Sequence, residues 1–71
     1  MSADERVYYF DRVISDNWIS YRCDVRLAAY LREQSQESEM ANSIAASATR
    51  HMQSAQRAEI ERKALLKGRN K

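Results

Sequence analysis

Proline is absent from this chain, glycine occurs once, at Gly68, and cysteine once, at Cys23. With no proline and no internal glycine, nothing forces a turn, so long helices are the simplest reading. One thiol excludes an intramolecular disulfide and suits a reducing compartment. One glycine excludes a glycine-rich phosphate loop. Cys23 and the single histidine, His51, are the only soft metal ligands and stand 28 positions apart, so neither a metal nor a cofactor is expected. The longest apolar run covers residues 27–31. That is far short of the about 20 residues needed to cross a bilayer. The opening Met1-Ser2-Ala3-Asp4-Glu5-Arg6 is charged and lacks the apolar stretch of a signal peptide. A soluble cytoplasmic protein is therefore expected, with no membrane partner.

Two further absences divide the chain. No aromatic residue follows Tyr30; all six (Tyr8, Tyr9, Phe10, Trp18, Tyr21 and Tyr30) lie before residue 31. No acid follows Glu61, whereas Arg62, Lys63, Lys67, Arg69 and Lys71 do. The net charge of +2 conceals this polarity: residues 1–39 sum to −3 and residues 40–71 to +5. An antiparallel hairpin would bring the two charge populations together. A basic end could equally remain free for an acidic partner.

The back half reads as one long helix over about residues 39–67. Its apolar stripe runs through Met40 or Ala41, Ile44, Ala48, Met52, Ala55 and Ala58 to Leu65 and Leu66. Alanine has the highest helix propensity and permits close approach of a neighbour, but it buries little area. The bulk must come from the aromatic front. Gly68 stands where a helix C-cap belongs. Ser35-Gln36-Glu37-Ser38-Glu39 is wholly polar and reads as a bend or an exposed helical stretch, with Ser35 or Ser38 as a cap.

The front half supports two readings. Ile19, Tyr21, Cys23, Val25 and Leu27 alternate with polar residues, the mark of a half-buried strand, with Ser15-Asp16-Asn17 as a hairpin turn. A helical stripe competes: Val7, Phe10, Ile14, Trp18, Tyr21, Val25 and Ala28. Its consecutive steps of four at residues 10–18 predict a break near Ser15-Asp16-Asn17, where Ser15 or Asp16 would cap a second helix. The favoured fold is all-α. It is a small helical hairpin or three-helix arrangement, with helices at about 4–15, 17–35 and 39–67, and an oligomer. An N-terminal β-hairpin packed on a long helix is the alternative. Residues 1–71 make a single small helical domain, with 62–71 a basic, partly frayed end. A chain of 71 residues forms a marginal core, for which self-association or a host protein is the expected staple, with a well-packed helical bundle the alternative.

No catalytic set is apparent. The acids are scattered, His51 has no acid close in sequence, and Cys23 reads as a buried structural thiol. Tyr8, Tyr9, Phe10, Trp18 and Tyr21 exceed what one small helix can hide, and tyrosine and tryptophan are enriched at interface hot spots. They are the candidate protein-binding set. Arg50, Arg57, Arg62, Lys63, Lys67, Arg69 and Lys71 are the candidate contacts for an acidic partner or nucleic acid. The expected function is a non-enzymatic regulator or adaptor, of the small kind phages carry. It would bind a larger host or cognate protein, or itself, through the aromatic face. The alternative is a nucleic-acid-associated protein using the basic helix, though the basic half has no aromatic to stack on bases.

Overall fold

The computed structural model describes residues 2–34 and 38–69, leaving aside the side chains of Ser38 and Arg69. It contains two helices, α1 (Ala3–Glu33) and α2 (Ser38–Arg69). Ser2 starts α1 with a capping box: its hydroxyl accepts from the Glu5 N–H (3.2 Å), and the Glu5 carboxylate accepts from the Ser2 N–H (3.4 Å). Asp4 and Glu5 sit in the positively polarised first turn, and Arg32 in the negatively polarised last turn. At the other end the Gln34 N–H donates to the Tyr30 carbonyl (3.1 Å).

The break expected near Ser15-Asp16-Asn17 does not occur, so two of the three expected helices are one. The β-hairpin alternative fails with it, since no strand exists among the described residues. The physical reason lies in the buried stripe. On α1 it passes through Val7, Phe10, Ile14, Asn17, Tyr21, Asp24, Ala28 and Leu31. These steps alternate 3 and 4 throughout, the heptad spacing of two supercoiled helices. The expected stripe used apolar Trp18 and Val25 where the chain places polar Asn17 and Asp24. A regular helix accepts two polar seam residues, whereas the all-apolar alternative required unwinding.

The α2 stripe is equally regular: Ala41, Ile44, Ala48, His51, Ala55, Ala58, Arg62 and Leu65. Cross-helix contacts fix the pairing as antiparallel, from Arg32 with Asn42 near the connection, through Trp18 with Glu59, to Asp11 with Arg62. The result is a rod of 55 × 15 × 14 Å. Among the described residues the buried ones are Ala28, Ala41, Ala48, Ala55 and Ala58, and no large side chain is fully enclosed. The alanine face was thus read correctly, and it forms the seam itself.

Gly68 does not cap α2, which continues through Arg69. The polar stretch Ser35-Gln36-Glu37 and the capping side chains suggested at Ser35 and Ser38 lie outside what is described, although Ser38 begins α2.

Two stability predictions follow from this packing. Ala55→Leu inserts bulk where the helices touch, and should destabilise the fold by about 1–3 kcal/mol in urea melts. Gly68→Ala adds a Cβ that meets nothing within 4 Å. It should stabilise α2 by up to about 1 kcal/mol, read by circular dichroism at 222 nm.

Candidate functional site

With one seam per helix, every side chain off that seam is on the surface. On α1 the opposite face carries Tyr8 (62% exposed), Ile19 (49%) and Tyr30 (57%). Eleven residues separate each from the next. Eleven residues turn a helix by three revolutions plus about 20°, so the three side chains fall on one line about 33 Å long. Tyr9 and Leu27 flank this line, both about half exposed. By contrast α2 exposes only Met40 and Ile60 among its large apolar side chains. Most of the exposed large apolar side chains among the described residues therefore belong to α1, with Val25 (44%) on another side of it and Ile60 (70%) on α2.

The five aromatics singled out from sequence divide between two environments. Tyr8 and Tyr9 stand out in water. Phe10, Trp18 and Tyr21 are half-buried toward α2. Phe10 meets the ring of Tyr9 edge-on (5.5 Å between centroids), and Trp18 meets Tyr21 likewise (5.4 Å). Trp18 also donates its indole N–H to Glu59 on α2 (2.8 Å), which ties that ring to the intramolecular packing. Ile19, Leu27 and Tyr30 were not among the candidate binding residues. The same sequence that suggested strand alternation also contained their helical spacing, but only the seam reveals which apolar residues are left over.

Arg12 sits within the outward face and donates to the Tyr8 hydroxyl (3.4 Å). That hydrogen bond, then the charges of Tyr8 and Asp16, raise the pKa of its guanidinium above the ordinary arginine value. The outward face thus carries a permanent positive charge among its rings. Cys23 is exposed on this side too, correcting the expectation of a buried thiol.

Midway along the seam lies a polar cluster. Asn17 donates its amide N–H to the Val13 carbonyl (2.8 Å), which turns its Oδ1 toward His51 Nδ1 at 3.1 Å. That arrangement assigns the Nδ1 proton to His51 as donor. His51 Nε2 then lies 3.7 Å from Asp24 Oδ2, within ion-pair range but too long for a hydrogen bond. Asp24 Oδ2 is buried with no hydrogen-bond partner. An acid and a histidine do meet in space, then, though not in sequence. The single thiol is on the far face of α1, so the pair faces no cysteine nucleophile.

The basic candidates also separate. Arg62 lies on the seam and donates to Asp11 of α1, the charge pairing expected of an antiparallel hairpin. Arg50, Arg57, Lys63 and Lys67 are exposed along α2. The side chain of Arg69, and Lys71, lie outside what is described. Among the described residues no group of three or more His, Cys, Asp or Glu side chains is placed to hold a metal. Among the described residues no helix is long and apolar enough to cross a membrane. No protein-family model matches the chain, and no curated protein or solved structure shows significant similarity to it.

The unpartnered Asp24 oxygen makes a direct prediction. Replacing it with an apolar seam residue, Asp24→Leu, removes an unsatisfied buried polar atom. The urea midpoint should rise, by about 1 kcal/mol of stability, with an unchanged m-value. A fall would mean that attraction to His51 outweighs the desolvation of the carboxylate.

Proposed function

We propose that this chain is a non-enzymatic binding protein whose outward α1 face docks on a larger protein and modulates it. The observation that carries this reading is the alignment of Tyr8, Ile19 and Tyr30, each about half exposed or more, on the side of α1 away from its own partner helix. At about 200 Å² for a full aromatic side chain, Tyr8, Tyr9 and Tyr30 alone leave roughly 350 Å² in water. Exposed rings and aliphatic groups strung along one helix face suit an extended interaction site. The rigid helix offers these rings with little entropy left to lose on binding.

The roles of the candidates follow from position. Tyr8 and Tyr9 anchor the interface, extended by Ile19, Leu27 and Tyr30. Phe10, Trp18 and Tyr21 support it from the seam side. Arg50, Arg57, Lys63 and Lys67 steer encounter with an acidic surface, an effect that fades with salt. The nucleic-acid alternative draws on the same four side chains. It gains little support, because Arg62 is engaged by Asp11 and no aromatic of the chain lies on α2.

Affinity purification of the tagged chain from its native host, at low and high salt, tests the reading. The expected result is a protein partner retained at high salt by the unaltered chain and lost from Tyr8→Ala/Tyr30→Ala, with helical content unchanged. Recovery of nucleic acid alone, released as salt rises, would overturn it.

A further inference from the structure

Acids are scarce along the second half of α1. From Asn17 to Arg32 the only one is Asp24, against the arginines Arg22, Arg26 and Arg32. Asp24 is half-buried at the seam, 3.7 Å from His51, and Arg32 donates to Asn42 of α2 (3.4 Å). Arg22 and Arg26 are instead exposed, next to Ile19 and Tyr30. Among the described residues neither has an ion-pair or hydrogen-bond partner. Four positions apart on a helix, their attachment points stand about 6 Å apart and the like charges repel. The other neighbours three or four positions away give no relief. Arg22 has Trp18, Ile19 and Val25, and Arg26 has Cys23, Ala29 and Tyr30. Glu33, seven residues past Arg26, is about 10 Å further along the axis. Arg12 differs, because Asp16 follows it by four residues and the Tyr8 hydroxyl accepts from it.

We infer that Arg22 and Arg26 form a two-cation clamp on the docking face, and that the partner segment it grips carries two carboxylates about 6 Å apart beside apolar side chains. The inference rests on the docking reading above and names the chemistry of the partner at that site. A guanidinium holds a carboxylate through two parallel N–H···O bonds, which fixes direction as well as charge. One acid for each arginine also cancels the repulsion between the two. Ile19 lies three residues before Arg22, and Tyr30 four after Arg26. Apolar contacts at both ends would exclude water from the ion pairs and strengthen them. Nucleic-acid phosphates would satisfy the same charges, yet leave Ile19 without an apolar neighbour. A single acidic segment also fits the modest apolar area of the face, in the range of transient interfaces below about 1,200 Å². The exposed cations of α2 draw a partner of the same sign from a distance, so steering and grip select together.

Cys23 is exposed, is the only thiol and lies between the two arginines, so it can carry a photo-reactive benzophenone. The full labelled chain is irradiated in an extract of its native host, and the cross-linked segment is sequenced by mass spectrometry. That segment is then synthesised, and its affinity for the unlabelled chain is measured by fluorescence anisotropy. The expected segment has two acids roughly two to four residues apart, a spacing that covers both strand and helix. Arg22→Glu should weaken its binding about tenfold or more, and Arg22→Glu/Arg26→Glu further still. Arg22→Glu also sets an acid four residues before Arg26, the favourable order for a helical pair. The thermal midpoint of the free variant should therefore hold or rise, which separates lost grip from lost fold. A cross-linked segment without an acid pair, a second copy of this chain, a nucleic acid, or an affinity unchanged by Arg22→Glu overturns the inference. Binding that ignores Arg22→Glu but is lost from Tyr8→Ala/Tyr30→Ala would leave the docking reading standing without the clamp. Binding that needs the arginines and ignores both tyrosines would do the reverse. No cross-linked product at all overturns both.

Discussion

Two helices in contact have a single interface, and the width of that interface controls everything else in this molecule. Here it is built from alanine at Ala28, Ala41, Ala48, Ala55 and Ala58. Small side chains let the backbones approach, which favours dispersion contact along the whole length of the rod. The same closeness leaves no room for rings. Phe10, Trp18 and Tyr21 therefore lean over the edges of the seam, and Tyr8, Tyr9 and Tyr30 are left outside it. The aromatic surface of α1 is thus a direct product of the alanine surface of α2.

Charge follows the same geometry. The acid-rich front and base-rich back run antiparallel, so Asp11 reaches Arg62 and Trp18 reaches Glu59. These exposed contacts contribute little individually. Their value is orientational, since they hold the half-buried rings in place and keep α1's far side clear. Along α2 the exposed Arg50, Arg57, Lys63 and Lys67 form a modest row of cations suited to long-range steering, while the rings on α1 suit short-range contact. In the proposed docking, steering and close contact fall to different helices.

Much of this was legible in the residues. The absence of proline and internal glycine pointed to helices, and the alanine positions of α2 were named correctly because each is apolar and regularly spaced. The uninterrupted course of α1 was hidden for a specific reason. A reading that looks for apolar residues follows Trp18 and Val25, yet the seam takes Asn17 and Asp24. Those two face His51 from the other helix, a contact 34 residues away in sequence for Asn17. Likewise Ile19 and Leu27 looked like strand residues until the seam showed which side they leave exposed. The capping box of Ser2 and Glu5 was present as a plain Ser-x-x-Glu signature and would have marked the start of α1.

The polar cluster has a consequence beyond its own energy. Ala41, Ala48 and Ala55 recur every seven residues, so sliding α2 along α1 by two turns would again set alanine against the same kinds of neighbour. Apolar packing alone scarcely distinguishes these alignments. Only one of them brings His51 between Asn17 and Asp24; any other leaves all three half-buried polar groups facing alkyl surface. The cluster therefore acts as the index mark on an otherwise uniform scale, selecting a single alignment from several that the alanines would accept.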